Sequence, residues 1–110
     1  GWACPGSPDY SEHDQKLYQR EAERFRLALD CADKLRQEGD RLIAMIHYPP
    51  FNLRGEGSLF TGLFEAHGVE KVVFGHLHGA AYFPAYSCRN GVEYYLTSCD
   101  KTGFRLTEIV

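Results

Sequence analysis

Apolar and polar positions recur along this chain with two different periods, and the switch between them separates two kinds of element. From Tyr18 the apolar residues Tyr18, Ala22, Phe25, Leu29 and Ala32 follow in steps of four and three, and Leu17, Ala28 and Leu35 widen the same stripe. That period predicts one long amphipathic helix with its apolar side on a core. Ser11, with Asp14 three residues later, fits a capping box at its start. Gly39 is the expected stop, because glycine accepts the left-handed conformation past a helix end. Glu21, Glu23, Arg24 and Arg36 belong to the solvated side. The opening segment, residues 1–10, is rich in Gly and Pro and reads as a loop.

Beyond Gly39 the apolar runs shorten. Residues 41–47 (RLIAMIH) lie between Gly39-Asp40 and Pro49-Pro50, a length that favours a buried strand ending near His47. Residues 51–57 are a loop, Ser58 caps a short helix over 59–67, and Gly68 closes it. Residues 69–74 (VEKVVF) read as a second buried strand. Strand, helix and strand in so short a stretch predict a βαβ unit with parallel strands. After Gly79 the segments 81–88, 92–99 and 104–110 are strand-like and predict an antiparallel meander. Asn90-Gly91 reads as a two-residue hairpin turn, which sets Cys88 opposite Glu93 and Cys99 opposite Tyr82.

Composition adds bounds. With 110 residues, 44% hydrophobic, and a formal net charge of −3, the chain can bury one modest core. Mild acidity gives no reason to expect a nucleic-acid partner, and no apolar run approaches the roughly 20 residues that span a bilayer. The chain opens without Met, so the natural N-terminus is expected to lie upstream. The hairpin register keeps Cys88 and Cys99 from facing each other, and the spacing of Cys4, Cys31, Cys88 and Cys99 fits no metal or redox pattern. Free thiols in a reducing cytoplasm are the simpler expectation, with packing as the role of Cys88 and Cys99.

The candidate chemistry is in the histidines. Parallel strands end on one edge of a sheet, so His47 and the loop Gly75-His76-Leu77-His78-Gly79 are expected to meet at the carboxyl edge, where open α/β sheets place ligand sites. In extended backbone His76 and His78 project to the same side, with Gly75 and Gly79 easing the turn around them. Converging neutral imidazoles suit Zn, Fe, Mn or Ni better than Ca or Mg. A single histidine at an element's end is ordinarily a surface or capping residue, and His13 and His67 are read that way. His67 is expected to meet the C-terminal dipole of its helix. Tyr48 and Asn52, just past His47, and Arg54 in the glycine-containing loop are candidates for substrate contact, against the plain reading of loop residues.

Ala44-Met45-Ile46-His47-Tyr48-Pro49-Pro50, followed by Val72-Val73-Phe74-Gly75-His76-Leu77-His78-Gly79, resembles the last two motifs of calcineurin-like metallophosphoesterases. These are a hydrophobic strand ending in His before prolines, and then G-H-x-H. The long helix and Trp2 are similar to a bacterial-type subgroup of predicted phosphohydrolases. The resemblance implies an α/β fold in which residues 1–110 form the C-terminal half of one catalytic domain. The whole domain would be an α/β/β/α sandwich, to which this part gives a long helix, a parallel βαβ unit and antiparallel C-terminal strands.

The implied activity is hydrolysis of phosphomonoesters or phosphodiesters at a centre of two divalent transition-metal ions (Mn, Fe, Zn or Ni). His47 and His76 would hold one ion and His78 the other. The family's remaining ligands, and its catalytic histidine, lie in D-x-H, G-D and G-N-H-D/E motifs nearer the N-terminus; neither D-x-H nor G-N-H-D/E occurs here, and the pair Gly39-Asp40 falls in a turn. Asp14, Asp30, Asp33 and Asp40 fall on the helix or in a turn and do not replace them. The chain is therefore expected to be inactive alone, and to associate with the missing N-terminal half or with itself. Two rivals remain open: a single-zinc hydrolase or lyase built on H-x-H and a distant His, and a non-catalytic module that keeps the fold for binding.

Overall fold

A computed structural model describes residues 10–52, 54–77 and 84–110. Helix α1 runs from Glu12 to Leu35. Ser11 caps it as expected: its hydroxyl accepts from the Asp14 N–H at 3.2 Å, and Asp14 accepts from the Ser11 N–H at 3.0 Å. Glu12 and Asp14 in the first turn and Lys34 in the last complement the helix dipole. The helix stops four residues before the glycine expected to end it. Arg36 is already extended, and the Asp40 carboxylate accepts the Gln37 N–H at 2.7 Å. Gly39, at φ +90°, serves that turn instead.

Of the predicted stripe, Tyr18, Ala22 and Leu29 are buried and Phe25 packs against the core, whereas Ala28 and Leu35 are exposed. The core-facing side is therefore narrower than the sequence pattern suggests.

Strands β1 (Ile43–Met45) and β2 (Lys71–Phe74) flank helix α2 (Leu59–Ala66), and the two strands pair in parallel, with Ala44 beside Val72. Both are shorter than the apolar runs that contain them, although single hydrogen bonds continue the ladder: Glu70 N–H to Leu42 O and Ile46 N–H to Val73 O, each 2.9 Å. Ser58 caps α2 as predicted, and Gly68 past its end has φ +68°.

Strands β3 (Tyr86–Arg89) and β4 (Val92–Leu96) form an antiparallel hairpin. Asn90 and Gly91 both take positive φ, as a type I′ turn requires, and Cys88 does face Glu93. Tyr82, the expected partner of Cys99, lies outside the described residues.

One pairing goes beyond the expectation and one expectation fails. β3 and β4 are antiparallel as expected, but β4 also inserts beside β2 and parallel to it, so the described sheet is mixed, with order β1-β2-β4-β3. Val72, Val92, Tyr94 and Leu96 explain the choice. They carry the most buried side chains of the sheet, and a central β4 brings them together under the helices. The third strand, expected over 104–110, does not form. A turn over residues 99–103 ends in Phe104 at φ +59°, and the chain then runs exposed, with Phe104 at 81% and Leu106 fully in solvent.

The core is one cluster in which Leu29 of α1 and Phe64 of α2 meet Ala44, Val72, Phe74, Val92, Tyr94 and Leu96 of the sheet. Both helices thus cover the same face. Burial leaves the Tyr94 hydroxyl without a partner among the described residues and pushes its pKa up to about 12. Neither helix packs on the other face. Lys71, Glu93, Tyr86 and Tyr95 form a polar network there, in which both tyrosine hydroxyls donate to Glu93 at 3.2 Å, and Met45 is 79% exposed. Among the described residues no helix is long and apolar enough to cross a membrane. Cys31, Cys88 and Cys99 are free thiols as expected, but Cys88 and Cys99 are exposed rather than packed. Both fall at the margins of the sheet, outside the cluster that the helices cover.

Candidate metal centre

Because β1 and β2 are parallel and in register, the chain leaves both at the same edge of the sheet. His47 follows β1 by two residues and His76 follows β2 by two. A hydrogen bond from the Gly75 N–H to the His47 carbonyl, 3.1 Å, ties the two departing segments together. The imidazoles then meet: His76 Nδ1 lies 3.2 Å from His47 Nε2, with the rings 68° apart in plane. Tyr48 packs on both, its ring centroid 4.9 Å from His47 and 4.6 Å from His76. Both histidines remain solvent-exposed.

The turn around His76 is not made as expected. Gly75 has ordinary backbone geometry, and a Cβ there would approach nothing closer than 3.9 Å. His76 itself takes the left-handed conformation, φ +69°. For a residue with a Cβ that costs roughly 1–2 kcal/mol, the kind of local strain that concentrates at functional sites. It also removes the basis for setting His76 and His78 on one side, since the argument needs extended backbone at His76. His78 and Gly79 lie outside the described residues.

The His47–His76 pair fits a metal ion on geometric grounds. Two imidazole nitrogens bound at about 2.0–2.1 Å to one tetrahedral ion lie roughly 3.3–3.4 Å apart. The observed 3.2 Å between the facing nitrogens is close to that span. It is equally the length of a hydrogen bond in which one neutral ring donates to the other, so metal capture would replace that bond.

The substrate-contact candidates differ among themselves. Tyr48 is at the dyad. The side-chain oxygen of Asn52 accepts the Arg54 and Glu56 N–H groups at 3.0 and 2.9 Å, while its amide donates to Glu56 at 2.8 Å. Asn52 therefore organises its own turn, which Gly55 completes at φ +74°. Arg54 stands exposed on that turn.

A second cluster was missed by sequence reasoning. Asp30, Asp33 and His67 bring donor atoms within 4.8 Å of one another. His67 does not simply meet its helix dipole: Nδ1 lies 2.5 Å from Asp33 and Nε2 3.8 Å from Asp30, while Arg36 reaches Asp33 at 3.6 Å and donates to the His67 carbonyl at 3.2 Å. The His67 hydrogen bond, with Arg36 behind it, lowers the Asp33 pKa. Each carboxylate meets a ring nitrogen, so the cluster clamps α1 to the end of α2, at the sheet edge opposite the His47–His76 pair. The spacing of Asp30 and Asp33 places them on one helix face, but nothing local in the sequence tells which distant histidine that face will meet. His13 sits exposed in the first turn of α1.

No protein-family model matches the chain, and neither a curated protein sequence nor a solved structure does so.

Proposed function

We propose that this chain is the C-terminal half of a dinuclear metallophosphoesterase domain and that it supplies two ligand motifs for hydrolysis of phosphate esters. The observation that carries the reading is the meeting of His47 and His76 at the carboxyl edge of a parallel strand pair, with their facing nitrogens 3.2 Å apart. The one-sided placement of the helices supports it as well, because a sandwich needs a second layer on the side on which neither α1 nor α2 packs. The resemblance of the two motifs supplies the chemistry.

In this reading His47 and His76 hold one divalent transition-metal ion and His78 belongs to the second. When bound, two such ions lower the pKa of a water between them and neutralise the phosphoryl oxygens. The protein's own task is positional. Tyr48 packs against both imidazoles and limits their rotation, and the Gly75 N–H to His47 carbonyl bond fixes the spacing of the loops that carry them. Among the described residues no carboxylate groups with the His47–His76 pair into a cluster of three or more potential ligands, and the acidic cluster that does form lies at the other end of the strands. The upstream half would provide the bridging carboxylate.

The test is hydrolysis of an aryl phosphate with added Mn, first by the 110-residue chain and then with the upstream half supplied. Turnover is expected only from the two halves together, and it should disappear in His47→Ala and His76→Ala. Full metal-dependent turnover by the chain alone would refute the half-site. Absence of turnover from the reconstituted pair would refute the phosphoesterase itself.

A further inference from the structure

A cavity of about 550 Å³ opens between α1 and the segment that follows His47. Its volume is in the range of small-molecule sites, roughly 300–1,000 Å³. Tyr48 forms part of its wall and at the same time packs on both imidazoles of the dyad, so one ring borders both the cavity and the candidate centre. The remaining wall is mainly aromatic and apolar: Tyr18, Phe25 and Phe60, with ring centroids 5.8 Å apart along the row, and Ile46 and Pro49 beyond them.

The polar groups at this cavity already have partners. The Tyr18 hydroxyl accepts the Leu59 N–H at 2.8 Å, Ser58 caps α2, Asn52 holds its own turn, and Arg24 pairs with Glu21 at 3.1 Å. Along the aromatic and apolar part of the wall a polyhydroxylated guest would find few groups to match its hydroxyls, and leaving such groups unpaired is costly. A flat aromatic guest would find edges and faces of rings at contact distance.

We propose that this cavity receives the aromatic leaving group of the substrate, so that the centre acts on aryl phosphate esters in preference to sugar phosphates. The proposal rests on the phosphoesterase reading. In the reaction the P–O bond to the aryl oxygen breaks and a P–O bond to the water oxygen forms. The protons of the water are shared between phosphate and the departing phenol. Tyr48 would then flank the P–O bond that joins the phosphoryl group at the dyad to the ring in the cavity.

Binding of 2-naphthol to the 110-residue chain, without metal, tests the cavity apart from catalysis. Saturable one-to-one binding is expected by fluorescence titration, with no comparable binding of ribose. Ala28→Trp should weaken it at least tenfold, because Ala28 is an exposed residue on the cavity wall and the larger ring would fill the space without disturbing the core. Phe60→Leu, which removes an aromatic wall, should weaken it less. Zn binding should be unchanged in both variants. No saturable binding, or binding indifferent to both substitutions, would overturn the proposal. So would loss of naphthol binding when the upstream half is added, because the cavity would then belong to that half. If naphthol binds as expected but the two halves together fail to hydrolyse 2-naphthyl phosphate, the phosphoesterase reading fails and the substrate assignment falls with it, while the binding site stands.

Discussion

Replacing His76 with glycine distinguishes an imidazole kept for a ligand from one kept for the fold. Three effects on metal-free stability can be set against each other. Relief of the left-handed conformation at φ +69° favours the variant by roughly 1–2 kcal/mol. The greater freedom of glycine in the unfolded chain opposes it by about 0.4–1 kcal/mol. Loss of the ring contacts with Tyr48 and His47 opposes it by about 0.5–1.5 kcal/mol. The sum lies within about 1.5 kcal/mol of zero, a shift of no more than roughly 6–12 °C in Tm for a chain of this size. Zn at a hundredfold excess over its Kd should stabilise the parent by about 2.7 kcal/mol and the variant hardly at all. Thermal unfolding with and without Zn, followed by circular dichroism, measures both quantities. Metal-free destabilisation above about 2 kcal/mol would show that His76 is structural. An undiminished Zn effect in the variant would show that it is no ligand.

Phe64→Ala removes a ring with no solvent exposure from the centre of the core and should lower stability by about 3–5 kcal/mol in urea titration; a loss under 1 kcal/mol would contradict the packing described. Asp33 has its pKa lowered by His67 and Arg36, so its contribution is present above the usual carboxylate value and is lost as pH falls through the lower folded value. The stability difference between the parent and Asp33→Asn should accordingly be flat above about pH 5 and shrink below about pH 4, and a difference independent of pH would exclude the ion-paired clamp. Cys31, Cys88 and Cys99 should all react with a thiol reagent under native conditions, and protection of any one of them until unfolding would contradict its exposure.

What the sequence made legible was local. The capping box at Ser11, the N-cap at Ser58 and the register across Asn90-Gly91 depend on a few adjacent residues, and each is found where it was expected. The approach of His47 to His76 was legible for a different reason: a parallel βαβ unit leaves little choice about which strand ends meet. The failures are all questions of what a segment packs against. Residues 104–110 have a strand's composition but pair with no strand among the described residues, whereas β4 finds β2, a pairing that alternation along β4 cannot announce. The left-handed turn fell on His76 although glycines flank the pair in sequence. The Asp33–His67 contact joins residues 34 positions apart. His78 lies outside the described residues, so the second half of the G-H-x-H motif rests on the sequence.

The strand order has a consequence for how such a centre can be completed. Among the described residues β2 and β4 are flanked on both sides, and only β1 and β3 have a free side. The ladder bonds of Leu42 and Ile46 point toward β2, so by alternation the N–H and C=O groups of Ile43 and Met45 point outward. A further strand laid parallel along that margin would bring its carboxyl end to about 4.8 Å from the chain at His47, one strand spacing away. A strand laid along β3 would be separated from the end of β2 by two others. Backbone hydrogen bonding alone therefore makes the β1 margin the short route by which carboxylates from outside this chain could reach the imidazole pair.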